Sequence, residues 1–163
     1  MSCRLSVSLL LALLVWVGGC SSAKLGQPVM INDPGMAAQL LGTRPVSLQW
    51  ISWEDFGEVD VRKEKGVYLI EGGQKSRTND DYLQIEGVIT AIESDRFFFD
   101  GVIEIQVSHH NQGKPYRREG PQEFRLYGNR GFWRLANMYN PDASVDYVDI
   151  FFDLESARAP EGY

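Results

Sequence analysis

Apolar and polar residues alternate one by one along most of the chain after residue 45, which is typical of half-buried β-strands. From Val46 to Trp50, for example, every second position is apolar. Before these segments, Asp33-Pro34 predicts a helix start, because an aspartate can cap the first turn and proline fits its first position. Gly42 would end this helix. The pattern therefore predicts an all-β domain with one short N-terminal helix.

Turn signals divide the alternating part into short strands. We predict a hairpin from Val59 to Glu71, an exposed loop from Gly72 to Asp81, and a second polar loop from Ser108 to Pro121. Another hairpin would turn at Gly128-Asn129-Arg130-Gly131, and a last strand would run from Val145 to Phe152. About seven to nine strands at this spacing favour a small antiparallel barrel or a compact sandwich.

The segment from Tyr82 to Val107 gives the most detailed prediction of strand order. Gly87 interrupts a long apolar run, and Asp100-Gly101 is a dipeptide favoured in tight hairpin turns. We therefore expect a long strand bent at a glycine, followed by two short strands that a hairpin links. This order resembles the first three strands of an OB-type barrel, and the resemblance implies an OB-like topology.

The first nineteen residues follow a different pattern. Arg4 precedes an apolar run from Leu5 to Val17, which is the arrangement of a secretory signal peptide and is shorter than a membrane-spanning helix of about 20 residues. The sequence Val17-Gly18-Gly19-Cys20 resembles the lipobox of bacterial lipoproteins, with Val17 where leucine is commonest. The resemblance implies that the Cys20 sulfur receives a diacylglycerol and that the new amino terminus receives an acyl chain such as palmitate.

This resemblance also implies a place in the cell. The protein would be anchored in the cell envelope through the lipid on Cys20, and Ser21 and Ser22 are not the aspartate that retains some lipoproteins at the inner membrane. In a Gram-negative host the protein would lie on the outer membrane and face the periplasm. The predicted organisation is a signal peptide (1–19), a lipidated N-terminus and tether (20–32), a single mostly-β domain (33–155) and a C-terminal tail (156–163).

Composition and charge limit the kinds of partner that the protein could bind. Hydrophobic residues make up 44% of the 163 residues and charged residues 23%, as in an ordinary globular domain. Removing the first 19 residues, which include Arg4, would leave 144 residues and change the formal net charge from −6 to −7. Because an acidic protein is repelled by phosphate backbones, we expect no nucleic-acid partner.

Two groups of residues are candidates for binding. Basic and aromatic residues concentrate between Lys114 and Arg134, where they could face an anionic glycan, a cell-wall peptide or an acidic protein, or else pair with aspartates near residue 149. An exposed Trp53 near Phe56 could stack on a sugar or anchor an interface, although core packing is the commoner use of tryptophan. The candidate binding residues are Trp53, Arg117, Arg118, Arg130, Trp133, Arg134, Tyr147 and Asp149.

The sequence carries no catalytic signature. There is no Gly-x-Ser-x-Gly, Walker or Rossmann motif, so we predict no cofactor and assign no catalytic residue. Asp149 could act as a general acid only with a second carboxylate across a cleft. Adjacent His109 and His110 fit two solvated loop side chains better than a metal site, and we predict no metal.

The expected function is that of a lipid-anchored envelope protein with a non-enzymatic binding or adaptor role. Its partners would be the membrane, through the lipid on Cys20, and an envelope protein or a cell-wall glycan. The alternatives are a glycan or cell-wall-binding module and a carboxylate-dependent envelope hydrolase.

Overall fold

The computed structural model describes residues 28–159. The predicted signal peptide, the lipobox-like segment with Cys20, most of the tether and residues 160–163 lie outside the described residues. Nine strands and two short α-helices form within the described part. The strands are β1 (Met30–Ile31), β2 (Gly42–Leu48), β3 (Gly57–Glu64), β4 (Val67–Lys75), β5 (Tyr82–Ile92), β6 (Arg96–Gln106), β7 (Tyr116–Leu126), β8 (Phe132–Leu135) and β9 (Val148–Phe151). The helices are α1 (Pro34–Leu40) and α2 (Leu154–Arg158).

Strands β2 to β9 form a closed antiparallel barrel in which each strand pairs with its sequence neighbours. The barrel closes where β9 pairs with β2, with Val46 opposite Ile150. The predictions of an antiparallel barrel and of a short N-terminal helix are confirmed. The strand order is an eight-stranded up-and-down meander, which differs from the five-stranded Greek-key order of an OB-fold. Successive hairpins give the same local pattern in both topologies, so the sequence pattern could not distinguish them.

A row of glycines lets the longest strands bend around the barrel. Gly101 lies in the middle of β6, directly opposite Gly87 on β5 and Gly120 on β7. A Cβ atom at Gly101 would overlap the backbone of β5 and the ring of Phe99. The prediction of a hairpin turn at Asp100-Gly101 is therefore wrong, because this glycine serves close strand approach and curvature instead of chain reversal.

Two predicted loops are shorter than expected for a related reason. β4 continues through Gly72 and Gly73 to Lys75, and β7 begins at Tyr116 and contains Gly120. A Cβ atom at Gly73 would overlap the carbonyl oxygen of Leu83 on β5, so the bare backbone permits a tight bend inside paired strands. Glycine-rich polar segments thus form bent strands here as well as loops.

The core lies inside the barrel and is apolar. Alternate residues of each strand are buried there, as Val59 and Val61 are on β3. α1 begins as predicted, with the Asp33 side chain accepting a hydrogen bond from the Met36 backbone N–H at 2.9 Å. Because α1 leads directly into β2 and buries Leu40 in the core, it closes one end of the barrel.

The two ends of the barrel differ. The helix end carries α1 and the short connections 65–66, 93–95 and 127–131. The loop end carries the longer connections 49–56, 76–81, 107–115 and 136–147. After β9 the chain forms α2, whose N-cap Asp153 accepts a hydrogen bond from the Ser156 backbone N–H at 2.7 Å, and this bond lowers the pKa of the Asp153 carboxyl. None of the helices in residues 28–159 is both long and apolar enough to cross a membrane.

Candidate functional site

One outer side of the barrel is covered by a second layer of side chains. In β8 and β9 every residue is buried, on the outward as well as the inward side. We call this side, formed by the outward residues of β2, β8 and β9, the covered face. Phe56, Tyr127, Tyr147 and α2 pack over it. Its buried outward residues are Pro45, Ser47, Phe132, Arg134, Asp149 and Phe151.

A buried ion pair lies in the centre of the covered face. Arg134 donates from Nε to Oδ1 of Asp149 at 2.7 Å and from a terminal nitrogen to Oδ2 at 2.6 Å. Their side chains are 6% and 2% exposed. The ring of Tyr147 stacks on the guanidinium with its centroid 4.1 Å away, and Phe132 and Tyr127 lie at 5.0 and 5.6 Å. These three predicted binding residues, Arg134, Tyr147 and Asp149, therefore come together, and they bind one another.

A second aspartate at the loop end is surrounded by donors. Asp146 is fully buried and accepts hydrogen bonds from Tyr116 Oη at 2.8 Å and from Arg118 at 2.8 Å. Trp50 Nε1 and Asn140 Nδ2 also donate to it, each at 3.1 Å. Burial, and then the hydrogen bond to Asp146, raises the pKa of the Tyr116 hydroxyl. The role that this arrangement supports is attachment of the 136–147 loop to the barrel.

The structure disperses the arginines that the sequence groups together. Arg118 and Arg134 are each paired with a buried aspartate, and Trp133 is in the barrel core. Arg117 is exposed on β7 and pairs with Glu104 and Glu119, each at 3.3 Å. Arg130 is exposed in the β7–β8 connection at the helix end. The predicted basic segment thus does not form a continuous cationic surface.

An open groove borders the covered face. Trp53, which is 47% exposed, forms part of its wall, and Phe56 and Phe151 line it with rings 5.4 Å apart. The opposite wall is the end of α2, and the volume is about 500 Å³. Its charged lining residues are Glu54 and Arg158. The sequence pattern predicted that Trp53 and Phe56 lie together but not that α2 and Phe151 lie beside them, because only the closed barrel brings residues 53–56 beside residues 151–159.

A second concavity is polar and lies on the outside of β4 and β5. Its volume is about 700 Å³, and its lining includes Glu71, Gly73, Lys75, Gln84 and Glu86. Gly73 leaves the backbone bare there, and the neighbouring side chains are exposed and hydrophilic.

A tyrosine and a glutamate are fixed at the edge of this polar concavity. Tyr82 donates its hydroxyl to Oε1 of Glu104 at 2.6 Å, and this bond raises the pKa of the tyrosine. Arg117 also pairs with Glu104. The arrangement presents a hydroxyl, an amide and carboxylates to solvent, which suits a polyhydroxylated ligand.

The adjacent histidines differ in environment. His109 is exposed, whereas the His110 ring packs against Trp50 and His109, with centroids 4.6 Å from each. His110 Nδ1 lies 3.3 Å from Oδ2 of Asp142. The prediction of two solvated rings is wrong for His110, because Trp50 and His109 pack against its ring and its side chain is only 11% exposed. Within residues 28–159, no three His, Cys, Asp or Glu side chains are grouped to hold a metal ion.

Together these features define a class of protein: an eight-stranded up-and-down barrel with a packed core, one covered outer face and an aromatic groove at its border. The chain belongs to the PM1083 family, whose model matches residues 28–152. It is 39% identical over 115 residues to the uncharacterised protein PM1083 of Pasteurella multocida (strain Pm70), covering 70% of this chain and 74% of the relative. No solved structure matches the chain.

Proposed function

We propose that this protein is a lipid-anchored envelope protein that binds a partner through the aromatic groove and catalyses no reaction. The observation that carries the binding role is the groove itself, in which Trp53 is 47% exposed and lies beside half-buried Phe56 and the buried ring of Phe151. Exposed aromatic residues in a concave site are the usual anchors of protein interfaces. The partner proposed is an envelope protein that inserts an apolar or aromatic side chain.

The anchoring part of the proposal rests on the N-terminal sequence. A charged start, an apolar run and the segment ending at Cys20 support export followed by lipidation of the cysteine. Two or more acyl chains would hold the protein at the membrane, because each buried methylene contributes about 0.8 kcal/mol. The barrel itself would then be the part that meets partners.

The state of Asp146 and Asp149 favours binding over hydrolysis. A carboxylate-dependent hydrolase needs one carboxyl group held protonated beside a cleft and a second one across it. Asp146 and Asp149 are instead buried, and each has an arginine as its partner. Neither is among the residues that line the groove or the polar concavity.

The test is photocrosslinking in the native envelope. A benzoylphenylalanine residue replaces exposed Glu54 at the groove, in the full chain with its own leader, and adducts are identified by mass spectrometry. We expect a discrete protein adduct that is lost when Trp53→Ala is added. Tyr139→Ala is the matched control, since Tyr139 is 72% exposed at the loop end and does not line the groove.

Two results would contradict the proposal. If the adduct persists unchanged in the Trp53→Ala protein, the groove is not the docking site. If Cys20→Ser leaves the protein in the membrane fraction and the parent carries no lipid, the anchor is not the one proposed.

A second candidate function, glycan binding, is favoured by the polar concavity over β4 and β5. Its bare backbone at Gly73 and the fixed pair Tyr82–Glu104 could bind sugar hydroxyls. Retention of the protein on purified cell-wall sacculi, lost in Tyr82→Phe and kept in Trp53→Ala, would support this function in place of the adaptor role. Retention that Trp53→Ala abolishes would point back to the groove.

A further inference from the structure

We infer that the protein has a second, non-covalent contact with the membrane, made by β1 and the β3–β4 turn at the helix end of the barrel. The contact surface consists of Met30, Ile31, Lys63 and Lys65, and its ligand is a lipid bilayer with anionic headgroups. This inference rests on the proposed lipid anchor at Cys20. It adds an orientation, with the helix end toward the membrane and the loop end away from it.

The first observation is apolar exposure in β1. Met30 is 61% exposed and Ile31 is 36% exposed, although their neighbour Val29 packs against the core. β1 pairs with the end of β5, Met30 opposite Ala91, and no other strand of the described part pairs with it. Two adjacent large apolar side chains on a strand edge are a costly arrangement for a surface that faces only water.

The second observation is the position of β1 beside a basic turn. β4 pairs with β5 only as far as Tyr68 opposite Ile89, and β1 takes the same edge of β5 two residues further on, at Ala91. β1 therefore lies in line with β4, beyond the N-terminal end of β4, and next to the Lys65-Gly66 turn that precedes β4. The apolar pair and the turn share the helix end.

The third observation is unneutralised positive charge at this turn. Lys63, near the end of β3, and Lys65 are exposed, and neither has an ion-pair partner within residues 28–159, although Nζ of Lys63 lies 5.4 Å from the centroid of the Tyr68 ring. The intervening Glu64 pairs with Arg62 at 2.8 Å. Lysine beside exposed apolar side chains suits an anionic interface, where the apolar groups enter the headgroup region and the ammonium groups meet phosphate. The acidic protein as a whole offers no such general attraction.

The length of chain between the anchor and the surface limits how far the two can separate. Nine residues, 21–29, separate Cys20 from Met30 in the sequence. A chain of that length spans at most roughly 35 Å when fully extended. β1, at the helix end, is the first strand after the anchor in the sequence, and a weak contact there gains from high effective concentration.

The test uses one introduced thiol at a time in the lipidated protein. Met30→Cys and Tyr139→Cys are labelled with a polarity-sensitive fluorophore and reconstituted in vesicles of phosphatidylethanolamine and phosphatidylglycerol. We expect blue-shifted emission and quenching by headgroup spin-labelled lipid at position 30, and water-like emission without quenching at position 139. Equal emission and equal quenching at the two positions would overturn the inference.

Charge reversal then tests the basic turn. Lys63→Glu with Lys65→Glu should remove most of the quenching at position 30 in anionic vesicles. The matched control, Lys75→Glu with Lys114→Glu at the loop end, should leave it unchanged. Equal loss in both double variants would mean that net charge, and not this surface, governs the contact.

The mass of the intact protein distinguishes failure of the proposed lipid anchor from failure of the membrane contact of β1. A sample without acyl groups on Cys20 contradicts the proposed anchor. A sample that carries the lipid, but in which the label at position 30 is as water-exposed as that at position 139, contradicts only the membrane contact of β1.

Discussion

The barrel has two outer faces on which charged residues lie in different environments. On the open face, formed by β3 to β7, charges alternate with core residues, and Arg62 pairs with Glu71 at 2.7 Å in contact with solvent. On the covered face, Arg134 and Asp149 pair at 2.6 Å beneath aromatic rings and away from water. Removing the charges from water therefore costs much more free energy for the Arg134–Asp149 pair than for the Arg62–Glu71 pair.

The difference shows that the strands of one barrel form two kinds of outer surface, one hydrated and one covered. The open face needs no covering, because its outward side chains are hydrated. The covered face is stable only while residues 53–56, Tyr147 and α2 remain in place, because they exclude water from Phe151 and from the ion pair. The groove lies where this covering layer is incomplete. Breaking either face should thus give effects of very different size.

The largest effect is expected from Arg134→Met. The substitution leaves the Asp149 carboxylate buried without its cation, and removal of one partner of a buried pair costs about 3–5 kcal/mol. We expect a fall of that size in the free energy of unfolding, measured by urea denaturation of the Cys20→Ser protein.

The double variant Arg134→Met with Asp149→Leu provides the control for this prediction. Since it removes both charges and fills the site with apolar side chains, it should recover most of the lost stability. Equal destabilisation of the single and the double variant would mean that packing, and not the unpaired charge, causes the loss.

The next largest effect is expected from Phe151→Ala. Phe151 is buried against Phe56 and Phe132, with ring centroids 5.4 and 5.5 Å away, so truncation leaves a cavity that costs about 3 kcal/mol. Leu69→Ala, at a half-buried outward position of the open face, should cost about 1 kcal/mol or less. The unfolding midpoints of the two variants in urea measure this difference, and similar values would show that the covering layer packs no better than the open face.

The local sequence pattern was enough to predict the barrel from alternation, the helix at Pro34 from its capping residues, and the β7–β8 hairpin from its turn residues. It was misleading at Gly73 and Gly101, where a glycine has the same local neighbours in a turn and in a bent strand. Only the pairing of Gly101 with Gly87 and Gly120 distinguishes the two, and this pairing is a property of the closed sheet.

The candidate site was predictable only in part. Trp53 was recognised from its aromatic neighbourhood and its parity, and it lies at the groove. The sequence left two uses open for the arginines, and the register decides between them, since β8 and β9 place Arg134 directly opposite Asp149. The covering by α2 could not be predicted, because α2 has only five residues and packs across the barrel wall.

A smaller, pH-dependent effect is expected on the open face at Glu123. Hydrogen bonds from Arg125, and then the nearby Arg96, lower the pKa of the Glu123 carboxyl. A carboxyl whose folded-state pKa is lowered stabilises the protein above its unfolded pKa of about 4.3, and this stabilisation is lost as the pH falls through the folded value. Glu123→Gln should therefore be less stable than the parent at pH 7, and this difference in stability should shrink as the pH falls from 7 to 3. A stability difference that stays constant between these pH values would exclude the ionised carboxylate as its source.

The smallest effect is expected from Arg62→Ala. Arg62 contacts three carboxylates, those of Asp60, Glu64 and Glu71, and all four side chains are in contact with solvent. Because water already solvates all of these charged groups, losing the Arg62 ion pairs changes the free energy of unfolding little. Salt further screens the attraction between these charges. We expect a urea midpoint indistinguishable from that of the parent at physiological ionic strength. A loss comparable to that of Arg134→Met would mean that the number of ion pairs, and not their burial, determines what each face contributes to stability.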